Sequence, residues 1–173
     1  MFIALAMHAA LQPSFSRISN KTRASVAVAK GLQPLADAIL AQDKNLDVEK
    51  EAEKHGLTAD ILLEVNVAEE DTKFGLKAEE VFPLAERAAA LPHVCLRGLM
   101  TVAPFVENPE KNRTIFANLH KLYVDIKEKN MNNVNMDVLS MGMTNDYEVA
   151  VEEGATMVRV GTGIFGARDY STR

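Results

Sequence analysis

Two stretches near the carboxyl end of the chain hold the residues best suited to chemistry. Ser140-Met141-Gly142-Met143 closes one short apolar run, and an amphipathic helical pattern follows it. A second apolar run carries one arginine, Arg159, and empties into Gly161-Thr162-Gly163. The order is strand, small polar loop, helix, strand, glycine loop. In a parallel α/β protein both loops fall at the carboxyl ends of strands, the face on which ligands bind. Small residues there let backbone N–H groups approach an anion, usually a phosphate.

The elements that must position these loops can be followed backwards along the chain. Asp47 to His55 is charged and helix-favouring, with Gly56 placed as a carboxyl-terminal cap. Ile61 to Val67 (ILLEVNV) is a near-continuous apolar run, as expected of a strand covered on both faces. Its exceptions, Glu64 and Asn66, share one side by strand alternation and point toward a polar barrel centre or site. Ala78 to Ala90 is helical in pattern, and Pro83 is expected to end a first turn or begin the main helix. Leu96 to Val102 reads as a strand with Gly98 inside it. Ile115, Leu119, Leu122 and Ile126, with Tyr123 beside them, form one helical stripe. Strands separated by single helices, four times running, predict βαβ units and a parallel sheet. A doubly wound sheet and a (β/α) barrel both satisfy that pattern.

Composition narrows the function classes. The chain has 173 residues and a formal charge of -5, without the basic stripe that nucleic-acid binding requires. One cysteine, Cys95, cannot form an internal disulfide, which fits a reducing cytoplasm. No run approaches the ~20 apolar residues of a membrane span. The apolar start, MFIALAMHAAL, lacks the basic residue that opens a signal peptide. His8, His55, His93 and His120 share no metal-ligand spacing, and no Ser-His-Asp or paired-carboxylate arrangement emerges. Met100, Met141 and Met143 read as core and barrel-mouth filler. Residues 1–45 read as a divergent or remnant segment, with Ser25 to Ala29 as a possible strand and Leu32 to Leu40 as a possible helix. Residues 46–173 hold the legible βα units of what is a single domain overall.

ILLEVNVAEEDTKFGL, LRGLMTV and VLSMGMTNDYEVAVEEGATMVRVGTGIFGARDY together resemble the pyridoxal-phosphate homeostasis family, related to the N-terminal barrel of alanine racemase. The resemblance covers roughly residues 46–170. It implies a (β/α)8 barrel that binds pyridoxal 5′-phosphate (PLP), here as an incomplete barrel with the last four or five βα units. By position, Ser140 and the Gly161-Thr162 pair would hold the phosphate, and Gly142 would leave room beside it. Arg159 would face the pyridine nitrogen and, being always protonated, favour the unprotonated ring and weaken the cofactor as an electron sink. Lys73 matches a lysine in the family's EESK-type loop and would make a secondary contact. The implied role is PLP binding and delivery in vitamin B6 homeostasis without an established turnover reaction. Partners are the cofactor alone, with neither nucleic acid nor membrane, in a cytoplasmic family of monomers.

The departures concern the front of the chain. The family's Schiff-base lysine lies on the first strand in an AVSK-like motif, followed by FGEN and WHFIG-LQ segments, none of which is intact here. VAVAKG at 26–31 imitates the motif and makes Lys30 a candidate. Yet only about 30 residues separate it from ILLEVNV, where three βα units of at least ~30 residues each are needed. Alternatively, Asn20 to Arg23 resembles the segment after the third strand and Leu32 to Ile39 the helix after the fourth. The first two or three strands, and the lysine, are then missing. An alanine-racemase-like enzyme and a degenerate fragment without a ligand remain as alternatives, and exposed barrel edges allow self-association. Plainer roles also stay open: Ser140 as a helix cap, Gly161 and Gly163 as turn glycines, Arg159 as an ion-pair partner and Lys73 as a solvated lysine.

Overall fold

The computed structural model describes residues 47–68 and 75–166. Four strands form one parallel sheet in the order β1-β2-β3-β4. They are β1 (Ala59–Glu64), β2 (Val94–Met100), β3 (Val134–Met143) and β4 (Met157–Arg159). Helix α1 (Val48–Lys54) precedes β1; α2 (Ala78–Ala89), α3 (Arg113–Glu128) and α4 (Tyr147–Glu152) join successive strands; α5 (Thr162–Phe165) follows β4. The strand order never reverses. Right-handed crossovers then place α2, α3 and α4 on one face of the sheet, as in a barrel wall and unlike a doubly wound sheet.

Strand alternation decides which residues meet those helices. Ile61, Leu63 and Val65 join the core with Leu96 and Leu99 of β2 and Leu139 and Met141 of β3. Val81 and Ala85 of α2 and Phe116, Leu119 and Ile126 of α3 cover them, all but Ile126 fully buried. Each large apolar side chain so buried contributes roughly 1.5–3 kcal/mol. On the opposite face Arg97 pairs with Asp137 at 2.7 Å.

Three local expectations are corrected. The β1 ladder stops at Glu64, short of Val67, because Asn66 N–H turns to the Leu76 carbonyl at 2.8 Å and Val65 bridges Leu76. Pro83 lies inside an unbroken α2. Its missing N–H frees the Glu79 carbonyl at an exposed position, where water can satisfy it. The buried stripe of α3 is Phe116, Leu119, Tyr123 and Ile126, rotated from the expected one. Tyr123 turns inward because its hydroxyl donates to the Met136 carbonyl on β3. The expected strand at 25–29 and helix at 32–40 lie outside the described residues.

Two features fix the carboxyl ends of β2 and β3. At Gly98 a Cβ would stand 1.7 Å from the Val138 carbonyl oxygen, so only glycine permits the close approach of β2 to β3. Buried Asn112, in the short 3-10 turn Pro109–Asn112, donates from Nδ2 to the Pro104 carbonyl (2.9 Å) and to Asp146 Oδ2 (2.8 Å). Asp146 Oδ1 accepts the Met143 N–H at 2.7 Å, and Asn145 Nδ2 reaches the Val106 carbonyl at 2.7 Å. The loops after β2 and β3 are thus stitched to each other.

Gly98→Ala is expected to cost about 3 kcal/mol or more in urea unfolding, since backbone rather than a side chain must yield. Asn112→Ala leaves a buried carboxylate oxygen and a carbonyl without their donor. It is expected to cost about 2–3 kcal/mol in the same measurement.

Candidate functional site

Arg159, the last residue of β4, is half-buried and spans three strand ends. Its Nη1 donates to Ser140 Oγ (2.6 Å) and to the Ser140 carbonyl (3.2 Å) on β3. Its Nη2 donates to the carbonyl of Thr101, just beyond β2, at 2.7 Å. Among the described residues these contacts occupy three of the five guanidinium N–H groups, leaving two donors on a group with no acceptor. Burial works against its charge, which Glu64 and Asp146 support electrostatically. The guanidinium is therefore fixed in place with hydrogen-bonding capacity to spare.

Ser140 is fully buried, with its hydroxyl on Arg159 and not open at the strand end. Ser140 does not cap α4: the N-cap position is held by Asp146, whose carboxylate accepts from Asn112 and the Met143 N–H and not from the helix. Gly142 is also buried, with φ +88°, and a Cβ on it would lie 2.5 Å from Ala150 Cβ and 3.0 Å from Tyr147 Cα. The room Gly142 provides is taken by α4, which packs against the strand end there. Both residues build the floor of the site.

The open hydroxyl is one the sequence pattern passed over, Thr144. It is only partly buried, and its Oγ1 accepts the Gly163 N–H at 3.1 Å and meets Thr162 Oγ1 at 3.1 Å. Gly161 and Thr162 begin α5, Gly161 as its N-cap. The first N–H groups of a helix have no partners within it. A Cβ on Gly161 would meet nothing within 4 Å, so that residue is open to solvent. A Cβ on Gly163 would press to 2.9 Å from Thr144 Cγ2, so glycine there lets the two loops close together. The signal for Thr144 was present in the sequence: it is the first hydroxyl after Gly142, at the point where β3 ends.

Beside this cluster lies a groove of about 300 Å³ lined by Val102, Ala103, Pro104, Phe105, Gly142, Met143, Asn145 and Asp146. Its walls are the two stitched loops. Phe105 is 85% exposed there.

Glu64, at the end of β1, completes the charged set. Burial pushes its carboxyl above the usual range, while the charge of Arg159 pulls it back. Lys30 and Lys73 lie outside the described residues. Among the described residues no cluster of three or more His, Cys, Asp or Glu side chains could hold a metal ion. No helix among them is long and apolar enough to cross a membrane.

The described residues offer an anion the Thr144 hydroxyl and the backbone N–H groups of Gly161 and Thr162, next to a guanidinium with free donors and an apolar groove. Comparison with known proteins gives the same direction. The family described as "Alanine racemase, N-terminal domain" matches residues 11–169, starting well ahead of the resemblance legible from residue 46. The pyridoxal phosphate homeostasis protein of Aquifex aeolicus is 46% identical over 129 residues, covering 73% of this chain and 56% of that one. That of Haemophilus influenzae is 38% identical over 154 residues, covering 89% and 63%. The chain spans about half the length of the curated relatives it matches. The structure of PipY from Synechococcus elongatus with PLP bound superposes with a TM-score of 0.60 at 27% identity, over 69% of this chain and 54% of that one. With its four-stranded parallel sheet, its helices in barrel order and the family match over 11–169, the chain belongs to the alanine racemase N-terminal domain family.

Proposed function

We propose that this chain binds pyridoxal 5′-phosphate and serves vitamin B6 homeostasis as a carrier and not as a turnover enzyme. The observation that carries the reading is the joined cluster of Thr144, Thr162 and Gly163 beside the fixed guanidinium of Arg159. A phosphate needs several convergent donors, and the Thr144 hydroxyl with the N–H groups of Gly161 and Thr162 offers them. A pyridine nitrogen needs one donor, which Arg159 has left over. The ring faces need apolar contact, which Val102, Pro104 and Met143 supply.

The site assignment is accordingly redistributed from the one the sequence suggested. The Thr144 hydroxyl and the backbone N–H groups of Gly161 and Thr162 take the phosphate, while the Gly163 N–H holds Thr144 in place. Ser140 positions Arg159, and Gly142 seats α4. Bound PLP would supply an aldehyde and an electron-withdrawing ring. A guanidinium at the ring nitrogen limits the second property, because arginine does not surrender its proton to the ring. That favours holding the cofactor over running carbanion chemistry on it. Relatives named for PLP homeostasis, and PipY with PLP bound, support the same class. We place this activity in the cytoplasm, in keeping with a single cysteine.

Titration of the folded protein with PLP, followed by cofactor absorbance and by competition with inorganic phosphate, is expected to give saturable binding that phosphate displaces. Thr144→Val, which keeps the shape and removes the hydroxyl, is expected to weaken binding about tenfold, the equivalent of one charge-assisted hydrogen bond. Absence of phosphate-competable binding in a folded sample rejects the proposal.

A further inference from the structure

Glu64 closes β1 at the ligand-facing end of the sheet, partly buried, and its carboxylate enters no hydrogen bond or ion pair among the described residues. Asp146, the other acid near Arg159, is used up by Asn112 and the Met143 N–H. The strand register places Glu64 with care. Glu64 pairs with Met100, Met100 pairs with Ser140, and Ser140 receives the guanidinium of Arg159. The next residue on β1, Val65, accepts the Thr101 hydroxyl at 2.7 Å, while the Thr101 carbonyl accepts Arg159 Nη2 at 2.7 Å. On β4 the partner of Ser140 is Met157 and that of Arg159 is Met143, so Arg159 stands beyond the Glu64 layer and its side chain reaches back to Ser140 within it. Glu64 points to the face opposite the helix-facing Leu63 and Val65. The two side chains feel each other's charge without meeting in a direct ion pair.

We propose that Glu64 is a positioning residue that sets the charge Arg159 presents to a bound ring, facing the guanidinium across a gap that the ring nitrogen enters. The assignment rests on the PLP reading for its ligand, though not for the Glu64–Arg159 pairing itself. With Glu64 ionised, the pair is close to neutral and the guanidinium acts chiefly as an oriented donor. With that charge removed, Arg159 becomes a bare cation beside the ring and holds the nitrogen unprotonated over a wider range. The sequence placed Glu64 on the polar side of its strand, and the structure supplies its partner.

The test uses the folded chain without cofactor first. Phenylglyoxal reacts with unprotonated guanidine, so the Arg159 modification rate, mapped by mass spectrometry, reports its charge environment. Exposed Arg87 on α2 serves as the internal reference. In Glu64→Gln, and in Glu64→Asn should the first variant fold poorly, Arg159 is expected to react about three- to tenfold faster relative to Arg87. Glu64→Asp, which keeps the charge, is expected to stay near the parent rate. Unchanged relative labelling in a folded neutral variant overturns the proposal. With PLP bound, the pH at which the ring absorption changes is expected to fall by about one unit in Glu64→Gln. An unmoved spectral transition overturns the ring assignment. A parent chain that fails to bind PLP rejects the functional reading and leaves the labelling result standing. Unchanged labelling with intact PLP binding removes Glu64 alone.

Discussion

A half-buried guanidinium must be satisfied, and at Arg159 that requirement organises the ligand-facing end of the sheet. β4 is only three residues long and can form little ladder of its own. The side chain compensates by reaching across β3 to the end of β2 and hydrogen-bonding to Ser140 and Thr101. Hydrogen bonds to a charged group are stronger than neutral ones, about 1.5–3 kcal/mol net. Removing the arginine would loosen the strand end. On the proposed reading, structure and binding draw on the same group.

The loops above that layer are held by a second, separate network. Asn112, Asp146 and Asn145 bind the segment after β2 to the turn after β3, so the groove walls move as a unit. Thr144 stands where the turn meets α5. Its contacts with Thr162 and Gly163 close the opening between the third and fourth βα units. Preorganisation of this kind lowers the ordering cost of binding, which for a small anion decides much of the affinity.

The sequence made the layered alternation legible, because four apolar runs separated by amphipathic helices leave few topologies. It left the barrel and the doubly wound sheet undecided, since periodicity says nothing about the order in which strands pair. It also pointed to the two strand-end loops on which the proposed site is built. What it missed were side-chain directions at the end of β3. Ser140 and Thr144 are both hydroxyls flanking Gly142, and only the strand end distinguishes the buried one from the open one. Gly142 is ambiguous for a related reason: a glycine beside a ligand and a glycine beneath a helix look the same in sequence. Pro83 misled because a proline exposed on an otherwise amphipathic helix costs less than one that faces the core.

The central claim is that the phosphate of PLP rests on Thr144, Gly161 and Thr162, with Gly163 holding Thr144 in place. The most direct measurement is a backbone amide spectrum of the ¹⁵N-labelled chain with and without PLP. The account predicts the largest shifts at Gly161, Thr162, Gly163 and Thr144, reproduced in part by inorganic phosphate alone. Saturating shifts that leave those four amides unmoved and gather elsewhere would contradict it.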